Sequence, residues 1–88
     1  MPRITVSSQT VQKAIESVIA KLNERIGEKG DHSFVSSHEI LGILAEEQSE
    51  LVDAVRANDV DQVNKEAHDI AVAAIWAIAS DMAGGLDW

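Results

Sequence analysis

The chain contains no cysteine and no tyrosine, one phenylalanine and two tryptophans. Without cysteine there are no disulfides, no zinc–thiolate sites and no thiol nucleophile. The scarcity of aromatics leaves an apolar content of 45% made mostly of Ala, Ile, Val and Leu. Such residues suit closely packed helices better than a small sheet sandwich. Basic residues are also few, 7 Lys and Arg against 15 Asp and Glu, for a formal charge of −8. That balance argues against DNA or RNA as partner, because counterion release from a phosphate backbone needs a basic surface. It still admits a nucleotide, whose phosphates can be bridged to carboxylates by a divalent cation. Long hydrophobic runs are missing too. The longest, Ile70 to Ala79, is about half the ~20 residues needed to span a bilayer, so no membrane partner is expected. Residues 1–10 have no apolar segment of the kind that marks a signal peptide. The expected compartment is the cytoplasm, with which the lack of cysteine is compatible.

What is present reads as one all-α domain over residues 1–88. An apolar content of 45% is too high for a disordered acidic chain. At 88 residues the core is thin, and without disulfides oligomerisation is the obvious way to enlarge it. Met1 to Gln9 reads as an extended arm. Helical periodicity of Val11, Ile15, Val18, Ile19, Leu22 and Ile26 predicts a first helix over about residues 10–27, capped by Ser7 or Ser8. Ser36 and Glu39 fit a capping box, with Val35 as a hydrophobic staple, before a second helix over 37–56. Asp59 with Gln62 fits another box, before a third helix over 60–82 that ends at Gly84–Gly85. Short connections between helices of similar length predict an antiparallel bundle of three main helices.

Acidic residues interrupt the apolar stripes. With Ile40 at 0° on the second helix, Leu44, Leu51 and Val55 fall within about 60° of it and Ile43 at about 300°. Glu47 lies inside that arc at about 340° and Glu50 on its edge at about 280°, while Glu46 and Asp53 face outward. On the third helix, Val63, Ala67, Ile70 and Ala74 define the arc taken as buried. Glu66 sits on its shoulder at about 300°, and Asp69 further round at about 240°. Two carboxylate pairs at i,i+3 spacing on adjacent helices can converge on one volume. Left unpaired, such a cluster loses solvation and repels itself. Few basic residues flank it, and Arg56 and Lys65 lie near helix ends. A divalent cation answers both costs, and oxygen-only ligands favour Mg²⁺ or Mn²⁺ over Zn²⁺. A di-iron site would need His three residues after Glu, a spacing that no Glu here has. The simpler reading is that the carboxylates line a wet, solvated groove.

The ordered pattern Glu46-Glu47-x-x-Glu50, a 15-residue spacer, then Glu66-x-x-Asp69 resembles the MazG-like nucleotide pyrophosphohydrolases, part of the all-α nucleoside triphosphate pyrophosphatase superfamily. HEILGILAEE and DIAVAAIWAIA also look like that family, and the likeness covers roughly Val11 to Ala83. The resemblance implies a helical bundle assembled as a homodimer or homotetramer. It implies Mg²⁺-dependent cleavage of NTP or dNTP to nucleoside monophosphate and pyrophosphate. Carried over, Glu47, Glu50, Glu66 and Asp69 become the metal ligands, with Glu46, Glu47 and Glu50 as the catalytic residues. Glu46 matches a position that helps hold or activate water. Lys21 and Arg25 are candidates to reach phosphate oxygens, and Trp76 is either a base-stacking surface or an interface or core residue. Family members often carry a fourth helix, which this sequence lacks after Met82. Either a partner subunit completes the bundle or the chain is a minimal or inactive relative. The alternative function is a non-catalytic oligomerisation or partner-binding module with a structural cation site.

Overall fold

The computed structural model describes residues 2–87. Met1 of the expected arm and Trp88 of the tail lie outside them. Three helices make up the fold: α1 (Ser8–Lys29), α2 (Ser37–Arg56) and α3 (Val60–Met82). No helix among the described residues is long and apolar enough to cross a membrane.

Side chains and glycines at the termini set the helix limits. Ser7 Oγ accepts the Thr10 amide at 3.1 Å and starts α1 earlier than residue 10. The far end also runs past the expected limit, because the glycine with positive φ is Gly30 (85°) rather than Gly27. Gly27 stays helical in open surroundings. Ser36 Oγ accepts the Glu39 amide at 3.2 Å, and Glu39 Oε1 reaches back to the Val35 amide at 2.9 Å, one residue before the cap. Val35 itself remains exposed and does not act as a staple. Its carbonyl instead accepts the Asp87 amide at 2.7 Å.

The turn between α2 and α3 is Ala57-Asn58-Asp59. Asn58 takes φ 55°, its amide bonds Val55 O, and the Asp59 amide bonds Ala54 O, each at 3.1 Å. This pair of bonds is a Schellman closure. Asp59 Oδ1 then caps α3 by accepting the Gln62 amide at 3.0 Å. The expected reciprocal bond from Gln62 is not made. The Asp59 amide is already used, and the Gln62 side chain donates to Glu66 Oε1 at 2.6 Å. At the end of α3, Gly84 has φ 74°, and the Gly84 and Gly85 amides bond Asp81 O and Ser80 O in the same closure.

The order is up, down, up, with α3 packed against both other helices. The loop between α1 and α2 is tied to the far part of α3. Phe34 N donates to Ser80 Oγ at 3.0 Å, and Trp76 Nε1 donates to the His32 carbonyl at 2.9 Å. A second strut joins α1 and α3, Ser17 Oγ to His68 Nε2 at 2.8 Å. The core is thin, as the length implies. Among the described residues only Ala54, Val72 and Ala73 are buried apolar side chains, joined by buried Glu66 and Ser80. Small residues at the α2–α3 contact let the two helices approach closely, and α1 buries no residue at all.

Candidate metal centre

The tight turn at Asn58 forces α2 and α3 antiparallel, so Glu47 and Glu50 come opposite Asp69 and Glu66. One carboxylate oxygen from each of Glu47, Glu66 and Asp69 lies within 4.8 Å of the other two. Glu66 is the deepest of them, at 4% exposure, and Glu47 and Asp69 are half-buried. Gln62 fixes Glu66 Oε1, while Glu66 Oε2 and Glu47 Oε2 are buried with no hydrogen-bond partner. Buried polar atoms are almost always paired, so two orphaned oxygens on residues of one cluster need an explanation.

Electrostatics gives the same picture. Burial raises the Glu47 pKa above 4.5, and the charges of Asp69, Glu50 and Glu66 add to it. Glu50 is exposed, yet its pKa is also raised from 4.5. The first cause is hydrogen bonding to Glu66 in the protonated form, followed by the Glu66 charge. No basic group appears among the influences on either residue. The carboxylates therefore sit in a field of their own sign. A hard cation with oxygen ligands fits that donor set.

The three oxygens come together although α3 is turned differently from its expected phase. Ala67 is exposed and Val63, Ile70 and Ala74 are only half-buried. The buried residues of α3 are Glu66, Val72, Ala73 and Ser80, displaced from the expected arc by roughly a third of a turn. The Ala- and Ile-rich second half of α3 is apolar on nearly every side, so it carries no phase. Glu66, expected on a shoulder, is thus the innermost carboxylate, and Asp69 faces α2. On α2 the expected arc holds Glu47 inward, with Ala54 as the buried residue of the same arc and Val55 left exposed.

Glu46 is exposed and not one of the three clustered residues; its charge reaches the site only by raising Glu50. His68 turns away. Its two ring nitrogens are engaged by the Asn64 carbonyl at 2.9 Å and by Ser17 Oγ.

Two cavities flank the cluster. An open groove toward the α2–α3 turn is lined by Glu50, Asp53, Asp59, Gln62 and Glu66. On the other side, a cavity of about 200 Å³ lies between Leu22, Arg25, Lys29, Phe34, Ile43 and Trp76. Ile43 precedes Glu47 by one helical turn, about 5.4 Å. Arg25 therefore reaches this cavity, but Lys21 is not in its lining. Lys29 is the cation that sequence reasoning missed. Its signal was available, a basic residue in the last turn of α1 where the helix dipole favours positive charge. Trp76 lines the same space with its indole nitrogen held by His32.

Comparison of the chain with models of known protein families, with characterised proteins and with solved structures finds no match.

Proposed function

We propose that the protein is a divalent-cation-dependent hydrolase that converts nucleoside triphosphates to nucleoside monophosphate and pyrophosphate. Mg²⁺ is the native ion in this reading and Mn²⁺ a working substitute. The observation that carries it is the pair of buried, partnerless oxygens on Glu47 and Glu66, converging with Asp69. The step from a cation site to this substrate class rests on the ordered carboxylate motif of α2 and α3.

Glu47, Glu66 and Asp69 hold the ion, and Glu50 supplies a further carboxylate at the open edge. When bound, the ion offsets charge on phosphate oxygens during in-line hydrolysis. Glu46 faces solvent beside the site, where a carboxylate can orient an incoming water and accept its proton. Arg25 and Lys29 take phosphate oxygens from the other side, and the apolar lining with Trp76 accepts the base.

Incubation with a panel of NTPs and dNTPs plus Mg²⁺ tests the proposal, with pyrophosphate release as readout. Absence of pyrophosphate from every substrate across several pH values would overturn it. One observation favours a second reading. Glu66 is buried almost completely, as befits a ligand to an ion that only holds α2 to α3. Both readings require cation binding, and turnover separates them.

A further inference from the structure

We infer that Gly85 and Ser33 are positioning residues for the cavity beside Trp76. The segment 84–87 after α3 backs the α1–α2 loop, and the missing side chain at 85 lets that loop stand where it walls the cavity. The positioning is independent of the hydrolase reading; only its effect on nucleotide binding rests on that reading. Gly30, His32 and Phe34 line the cavity from the loop side. The His32 carbonyl also accepts from the indole of half-buried Trp76 at 2.9 Å. Whatever fixes the loop therefore fixes one wall of the cavity and the ring held to it.

Ser80 grips both segments. Its hydroxyl accepts the Phe34 amide of the loop at 3.0 Å, and its carbonyl accepts the Gly85 amide at 2.9 Å. Further along, the Asp87 amide donates to the Val35 carbonyl at 2.7 Å. Between these ties Gly85 comes directly against Ser33, whose hydroxyl donates to the Phe34 carbonyl. A methyl group at 85 would stand 2.5 Å from Ser33 Cβ and would overlap the hydroxyl, where a carbon–carbon contact needs ~3.5–4.0 Å. The other four glycines of the chain meet nothing within 4 Å at the same position among the described residues.

Because Cβ is one of the two atoms struck, no rotation of the Ser33 side chain relieves the overlap. Backbone has to move. Gly85 belongs to the closure of α3, whereas the loop has no helical ladder of its own, so the loop is the part that gives. Its displacement carries the His32 carbonyl away from Trp76 and shifts Phe34, which opens the cavity wall.

The test uses the full chain carrying Trp88→Phe, which leaves Trp76 as the one tryptophan. Its two readouts are quenching of Trp76 fluorescence by acrylamide, and the response of that fluorescence to AMP and UMP with Mg²⁺. Gly85→Ala should raise the acrylamide quenching constant and weaken monophosphate binding by about tenfold. Adding Ser33→Gly should restore both, because it removes both atoms that the methyl strikes. Adding Ser33→Ala should restore neither, because Cβ remains. Gly27→Ala, placed in open space, should change neither readout. General destabilisation would not distinguish Gly from Ala at 33. If Gly85→Ala fails to fold, its combination with Ser33→Gly decides: recovered folding and wild-type quenching support the proposal, and failure to recover overturns it. Wild-type quenching in Gly85→Ala would also overturn it, as would equal effects of Ser33→Gly and Ser33→Ala. A wild type that binds neither monophosphate would count against the nucleotide reading of the cavity, and the acrylamide series would then decide the positioning alone.

Discussion

At Glu47 lost hydration, the nearby charges of Asp69, Glu50 and Glu66 and hydrogen bonding to Glu66 in the protonated form all act in one direction, and Oε2 is buried without a partner. Removing one oxygen's charge tests whether this arrangement holds an ion. Glu47→Gln and Glu66→Gln keep shape, and Gln at 66 can still accept from Gln62. Even outer-shell partners of a metal cost 10–100-fold in affinity or activity, so loss of a direct ligand should cost at least about a hundredfold in turnover. Retained pyrophosphate release by Glu47→Gln, with helicity intact, would remove that residue from the site. The pH dependence follows from the raised pKa values of Glu47 and Glu50. Between 4.5 and those raised values the folded state keeps protons that the unfolded chain has released. Stability from these groups is full below 4.5 and is lost as pH rises through the raised values. Metal-free protein in EDTA should therefore lose Tm over that window relative to Glu47→Gln, and Mg²⁺ should stabilise more as protons leave its ligands. A wild-type Tm that rises relative to the variant over the window would mean that an unsuspected cation neutralises the cluster.

The helices owe their limits to a few backbone closures, and these can be cut one at a time. Ser80 is 2% exposed, and its hydroxyl accepts the Phe34 amide, tying the α1–α2 loop to α3. Ser80→Ala leaves that amide without its partner and should cost about 1–3 kcal/mol in urea unfolding. Asn58 holds φ 55° at the α2–α3 turn. Asn58→Ala should cost about 1 kcal/mol, and Asn58→Gly should be close to neutral, since only glycine adopts that region freely. An equal loss for Ala and Gly would mean that the Asn side chain, not its backbone angle, matters. These closures also explain what was legible beforehand. Ser36, Asp59 and Gly84 are local signals with local mechanisms, so α2 and α3 could be delimited from the sequence. Glu47 was legible as inward because the apolar stripe of α2 is narrow enough to have a phase. The second half of α3 has no such contrast, and its true orientation depends on α2 and α1 packing on different sides of it. The orphaned oxygens and the entry of Asp69 into the cluster are consequences of that docking. No periodicity within one helix encodes them. Gln62 belongs to the same class: its role as a capping partner was a sound local inference, displaced by a contact to Glu66 one turn along α3.

For the chain as a unit, the net charge of −8 and the thin core make stability sensitive to any cation, so a useful test must separate screening from binding. Sodium chloride weakens repulsion among exposed carboxylates wherever they lie, over a Debye length of about 8 Å at physiological ionic strength. It does nothing specific for Glu47 and Glu66, whose free oxygens are buried. A bound ion stabilises the folded state by mass action, by about 2.7 kcal/mol at a hundred times its dissociation constant. In a domain of this size each kcal/mol moves Tm by roughly 4–8 °C. Mg²⁺ should therefore raise Tm by roughly 10 °C or more beyond NaCl of matched ionic strength, and EDTA should reverse the gain. Glu66→Gln should respond alike to both salts, since only the general screening is left to it. If matched NaCl reproduces the Mg²⁺ effect in the wild type, the cluster is a solvated acidic groove and the hydrolase reading loses its main support. If Mg²⁺ acts specifically but the protein turns over no nucleotide, the ion is a clamp between α2 and α3.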